Sequence, residues 1–342
     1  MKSLLLTATA LTALSPALAY ADDATNLDEF IVTGRPSALV LDAPAPAASR
    51  LGLTNREVPA TLDVVTQQRM QAEGLRTSVE AFNAAPGVNS GTLPGSVGVT
   101  SMRGFTSTAI AYLFDGVRVT GSNSAIRNTD TFNLERIEVL KGPASVLYGE
   151  GALAGAINLV PKRARLGENS GEGLVSLGSF DTLRAGLGGN LALSDTATLR
   201  ADASFSRSSG WVDDTDALTG ALTASLVFKP TDRLTLTLSG DYSHDDYSTA
   251  YFGSTLVPLA AARDPSGLVR NSQGLVLDKD TIRTNYNVED GEMNSTAWQL
   301  RVRADYQLSD RWTLSNELAG YTADRLWKNS EDVSFNTATD LL

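Results

Sequence analysis

Cysteine is absent from all 342 residues, which excludes a disulfide frame, a thiolate metal site and a cysteine-linked lipid anchor. Histidine occurs once, as His244, too few for a zinc or haem site built on imidazoles. Beyond the first residues no run approaches the roughly 18 unbroken apolar residues of a membrane-crossing helix, so only strands could carry this chain across a bilayer. Basic residues are in deficit, 28 against 39 acidic, and the resulting net charge of -11 argues against nucleic acid, whose binding rests on basic surface neutralising phosphates. The stretch over residues 134–160 carries no catalytic constellation.

The chain begins with Met1-Lys2-Ser3, an apolar run over residues 4–14 and Ala17-Leu18-Ala19, the charge, hydrophobic core and small-residue site of a secretory signal peptide. Cleavage after Ala19 or after Ala21 fits equally well. Residues 27–34, containing Phe30-Ile31-Val32-Thr33, form a short β-branched segment before an Ala- and Pro-rich stretch. It reads either as a tethered strand or as the first strand of a fold.

From Val58-Pro59 onward the pattern is small α/β structure. Residues 61–66 read as a strand, 67–73 as a short helix stopped by Gly74, and Thr77 with Glu80 as the opening of a second helix that ends before Pro86-Gly87-Val88. Residues 109–114 and 117–120 flank Asp115-Gly116, which supplies the positive φ angles of a two-residue hairpin turn. Next come Leu134-Glu135-Arg136-Ile137-Glu138-Val139-Leu140-Lys141-Gly142-Pro143, then Tyr148-Gly149, Gly151, Gly155 and Ile157-Asn158. The glycines are spaced G-x-G-x-x-x-G with a strand after them, which disfavours a dinucleotide cradle. This wording, with Met102-Arg103-Gly104-Phe105, resembles the plug domain of TonB-dependent outer-membrane receptors, and the order Val-Pro, short helix, Pro-Gly-Val resembles the siderophore receptors in particular.

After residue 165 the period becomes two. Leu234, Leu236, Leu238 and Tyr242 alternate with Thr235, Thr237, Ser239 and Asp241; Trp298, Leu300, Val302, Ala304, Tyr306 and Leu308 alternate with Gln299, Arg301, Arg303, Asp305 and Gln307. Similar strands are expected over 174–178, 183–193, 198–208, 218–228 and 312–327. Short Asp-bearing turns alternate with longer connections over 209–217 and 247–294, the rhythm of periplasmic turns and extracellular loops in a membrane barrel. A soluble sandwich also alternates, but it leaves the leader and the plug-like half unexplained. His244 and Asp245-Asp246 invite a cation, yet adjacent carboxylates on a strand point to opposite sides.

The expected fold class is a signal peptide (1–21), a box and flexible linker (22–56), a small α/β plug (57–165) and antiparallel transmembrane β-barrel strands (166–342). About seven strands against the roughly 22 that the resemblance implies make this an incomplete barrel, hence a truncated chain. The resemblance further implies import of a ferric siderophore as cargo without a resident cofactor, with the TonB protein and its inner-membrane complex as partners and outer-membrane lipids as surroundings. Phe30, Ile31, Val32 and Thr33 would be the TonB box, pairing by strand addition. Arg103 and Arg136 would lock the plug to carboxylates on the barrel wall. Ligand-facing apex loops are placed around Thr92 and Leu93, Thr106, Ser107 and Thr108, and Asn123 and Ser124. Import of cobalamin or glycans, or ligand-gated signalling, are the alternatives.

Overall fold

The computed structural model describes residues 53–58, 60–119, 127–148 and 152–330, with Ser49, Ser334 and Asn336. The leader, the segment Phe30-Ile31-Val32-Thr33, nearly all of the linker, and Asn123 and Ser124 lie outside the described residues.

The first half opens with β1 (Thr61–Thr66) and α1 (Gln67–Ala72), whose first turn is capped by the Thr66 hydroxyl accepting from the Arg69 amide. In α2 (Ser78–Phe82) Thr77 and Glu80 close a reciprocal capping box, which satisfies two amides that a five-residue helix otherwise leaves bare. A small sheet follows, β2 (Val88–Thr92), β3 (Gly98–Met102) and β4 (Phe105–Thr106), then the hairpin β5 (Ile110–Phe114) and β6 (Val117–Arg118). The segments β7 (Leu134–Lys141), α3 (Ser145–Tyr148) and β8 (Gly155–Pro161) complete the unit.

Its main sheet has the order β1-β7-β8-β5-β6. The β5/β8 pair runs parallel, and every other neighbour is antiparallel. Val65, Ile137, Val139 and Ile157 pack from this sheet against Met70 of α1, Phe82 of α2 and Met102 of β3, forming the apolar core.

Seven strands then follow as an up-and-down sheet. They are β9 (Ser170–Gly178), β10 (Thr182–Ser194), β11 (Ala197–Ser208), β12 (Ala217–Thr231), β13 (Leu234–Tyr247), β17 (Glu292–Ser309) and β18 (Trp312–Lys328), paired antiparallel in chain order. Every segment expected from alternation is a strand. The β13-to-β17 connection carries a separate three-stranded sheet of β14 (Leu256–Pro258), β15 (Pro265–Arg270) and β16 (Leu275–Asp278). One outward connection departs from the long-loop rhythm. Between β9 and β10 the chain reverses in three residues, with Phe180 and Asp181 at φ 59° and 51°.

Burial in this sheet is inverted relative to a soluble protein. On β17, Trp298 and Leu300 are 51% and 62% exposed while Gln299 and Arg301 are 4% and 8% exposed. On β11 the buried residues are Thr198, Arg200, Asp202 and Ser204, and Leu199 and Phe205 are exposed. An apolar outer face suits lipid, and the polar inner face is covered by the plug. β9 and β18 are the two edges of the open sheet.

Candidate functional site at the plug and barrel wall

Both central residues of the β5–β6 turn have positive φ, 51° at Asp115 and 79° at Gly116, as a tight hairpin requires. The Gly116 amide donates to Asn158 Oδ1 at 2.8 Å, Asn158 Nδ2 donates to Glu138 at 3.0 Å, and Arg136 Nε donates to Glu138 at 2.7 Å. This relay aims the turn at the wall. There the Asp115 carboxylate accepts from Arg163 at 2.9 and 3.0 Å and pairs with Arg301 of β17 at 2.9 Å. Arg163 also holds Asp241 of β13 through two bonds, 2.9 and 2.7 Å. Each of the two cations thus meets two carboxylates, since Arg301 also stands 3.8 Å from Glu317 of β18, and buried charge is tolerated when it is paired in this way.

Two further contacts flank it. Asp130 caps the turn that presents Phe132, accepting from the Phe132 amide at 2.7 Å, and is gripped by Arg184 of β10 through two bonds of 2.7 Å. Arg127 pairs with Asp245 near the outward end of β13 at 2.6 Å. Below, Lys162 donates to Glu172 of β9 at 2.7 Å and stands 4.4 Å over the Phe132 ring. Burial lowers the Lys162 ammonium, against the opposing pull of the Glu172 carboxylate. Glycine in β10 makes the approach possible. A Cβ at Gly186 would lie 2.7 Å from the Phe132 ring; within the wall itself, one at Gly188 would lie 2.1 Å from Oδ1 of Asp202 on β11.

The two arginines expected to lock plug to barrel make no ion pair with a wall strand among the described residues. Arg136 pairs with Glu135 and Glu138 of its own strand, because Glu138 is two positions on, shares its face and intercepts the guanidinium. Arg103 occupies the β3–β4 turn at φ 50°, is exposed, and makes no ion pair among the described residues. The charged residues that bridge to the wall strands are Asp115, Arg127, Asp130, Lys162 and Arg163. Asp115 was legible only as a turn former; its charge as a wall contact left no mark in the local sequence.

Of the expected apex positions, Thr92 ends β2 and Leu93 is exposed beside a loop that meets the outer connection. In that loop the Pro94 carbonyl accepts from the Tyr251 amide at 3.0 Å, and Val97 packs with Tyr247, Ala250 and Met293. Thr106 is on β4, and Ser107 and Thr108 fall in the 3-10 turn before β5. Thr108 also lines a cavity of about 520 Å³ between plug and wall, with Tyr112 and Arg118 on the plug side and Thr223, Gln299 and Arg325 on the wall side. Asp245 is buried and Asp246 exposed, so the two carboxylates do part across the strand. No cluster of three His, Cys, Asp or Glu suited to a metal ion occurs among the described residues.

Residues 54–156 match the family described as TonB-dependent Receptor Plug Domain. The chain is 27% identical over 376 residues to "Probable TonB-dependent receptor BfrD" of Bordetella pertussis, a stretch taking in 95% of this chain and 48% of that protein. With the ferripyoverdine receptor of Pseudomonas aeruginosa it shares 30% identity over 205 residues, 58% of this chain and 25% of that one. In fold it is similar to the ferric-catecholate import receptor Fiu of Escherichia coli K12 in its open form, with a TM-score of 0.68, 22% identity, and coverage of 84% of this chain and 42% of the other. The chain thus spans about half the length of the first relative and a quarter of the second. Residues 54–156 thus match a TonB-dependent receptor plug, and with that plug seated on a membrane-type sheet the chain is similar across both halves to TonB-dependent receptors of the outer membrane.

Proposed function

We propose that this chain supplies the plug and the first barrel strands of a receptor that imports ferric siderophores, drawing energy through TonB from the inner membrane. One observation carries the reading. A folded plug is ion-paired through Asp115, Arg127 and Asp130 to the polar inner face of a sheet whose other face is apolar, so passage along that face requires those pairs to part. Ligands named for the relatives, ferripyoverdine and ferric catecholate, support an iron chelate as cargo. In this reading Phe30-Ile31-Val32-Thr33 is the TonB box, residues 22–56 are the tether, and Thr92, Leu93, Thr106, Ser107, Thr108, Asn123 and Ser124 face arriving ligand.

The test is growth and radioiron uptake on a panel of ferric siderophores, in cells whose only such receptor is this one, with cobalamin and maltodextrins as contrast. Uptake of at least one ferric chelate that is lost without TonB supports the reading. Uptake of a non-iron ligand alone would overturn it.

A further inference from the structure

A turn of the plug is clasped by two of the outer connections. In Leu93-Pro94-Gly95-Ser96 the Ser96 amide donates to the Leu93 carbonyl at 3.1 Å and Gly95 has φ 66°, the Pro-Gly pattern of a type II turn. The Pro94 carbonyl accepts from the Tyr251 amide of the β13–β17 connection at 3.0 Å. Gly95 is seated between two stretches of backbone: a Cβ there would run into the Thr249 carbonyl and stand 3.1 Å from Cα of Thr215 in the β11–β12 connection. Val97, only 3% exposed, packs with Ala250 and with Tyr247 and Met293 at the outward ends of β13 and β17.

The two connections meet each other around the same point. The Asn285 side-chain amide donates to the Thr249 hydroxyl at 3.0 Å and to the Thr249 and Asp214 carbonyls at 3.3 Å. The Asp213 amide donates to the Arg283 carbonyl at 2.8 Å, and the Ser248 amide to the Asp216 carbonyl at 3.1 Å. Single hydrogen bonds between loop segments add little net stability, because water competes for the same groups. Apolar burial supplies what they lack, and the cluster beneath the junction is completed by Val97, a plug residue. With the turn withdrawn, Ala250 and Met293 lose that cover, and segments with few buried apolar contacts open readily.

We propose that residues 93–97 are a latch by which the seated plug holds the β11–β12 and β13–β17 connections together, so that a plug parting from the wall also releases the outer mouth. Its use rests on the import reading above: a mouth held shut by the docked plug opens in step with the plug's departure. The latch is steric and apolar, and it bears on the outer rim, apart from the ion pair that Asp115 makes with Arg301.

Amide exchange of the purified receptor tests this without any ligand, so a failure of the import reading leaves the latch decidable by itself. Asp213 and Ser248 are the reporters, because their amides bond to the connections and not to the plug. In Gly95→Val, exchange at Asp213, Ser248 and Tyr251 should rise about tenfold, while the Gly116 amide, held by Asn158, stays within about twofold of wild type. Val97→Ala hollows the seat without straining the turn; it should move the same three amides about threefold, and it decides the matter where Gly95→Val does not fold. Faster exchange at Tyr251 alone would show that the connections hold themselves together and would overturn the latch. Unchanged exchange at Asp213 and Ser248 in Val97→Ala would do so as well, as would a rise at Gly116 equal to theirs in both variants, since the whole plug would then be loosening.

Discussion

Arg184 on the barrel wall closes on the Asp130 carboxylate of the plug with two bonds of 2.7 Å, and that same carboxylate caps the turn that presses Phe132 against the wall. One anion thereby sets both the electrostatic and the steric fit of the two halves. Arg184 and Gly186 share the inner face of β10, so charge and gap succeed one another where the plug needs a partner and a slot for a ring, and Gly188 beyond them leaves room for Asp202 of the neighbouring strand β11.

Asp115→Asn keeps a residue tolerant of positive φ in the turn but removes the anion between Arg163 and Arg301. Arg163 then keeps Asp241, and Arg301 is left with only the more distant Glu317 at 3.8 Å. Plug docking should weaken by about 3 kcal/mol, the lower end for breaking a buried pair. Denaturant titration of the purified receptor, read together with amide exchange over 110–118, checks this. Unchanged protection there would show that the cluster does not hold the turn.

Gly186→Val places a branched side chain where even a Cβ stands 2.7 Å from the Phe132 ring. The plug must shift or the ring must leave, at a cost of roughly 1–3 kcal/mol typical of overpacking. Limited proteolysis of the plug should speed up, and adding Phe132→Ala should restore most of the resistance. If the single variant is as resistant as wild type, the contact is slack.

Asp278 of the outer connection accepts from the amides of Arg263 at 2.8 Å and Asp264 at 2.9 Å, and this donation holds its carboxyl below the usual carboxylate range. A carboxylate lowered on folding contributes stability above its unfolded value, and that contribution disappears as pH falls through the lower folded value. The β14–β16 module should therefore keep its order at neutral pH and loosen only below about pH 4. Amide exchange of Arg263 and Asp264 against pH measures it, with Asp278→Asn as reference. Loosening that begins near neutrality would contradict the assignment.

Proline at Ile31 or Val32 removes a backbone donor that strand addition to TonB needs. Uptake should vanish while ferric-chelate binding to whole cells persists. Survival of uptake would mean that the box lies elsewhere.

Much of this architecture was legible beforehand because it is written in local terms. Alternation at period two announces β13 and β17, Thr77 with Glu80 announces a capped helix, and Asp115-Gly116 announces a turn. The plug-to-wall pairs are of another kind. Asp130 and Arg184 are 54 residues apart, and Arg127 and Asp245 are 118 apart, so no spacing rule links them. Arg136 shows the same thing: its motif is distinctive, but which acid it meets here depends on Glu138 sharing its strand face.

The absence of cysteine allows a direct test of the central claim that import requires the plug to part from the wall. The Cβ position at Gly186 lies 2.7 Å from Phe132 Cγ, so Phe132→Cys with Gly186→Cys places two thiols within bridging reach on opposite sides of the interface. With the bridge oxidised, surface binding of the transported ferric chelate should remain and uptake should stop; reduction should restore uptake. Uptake at the wild-type rate with the bridge verified intact would contradict the account.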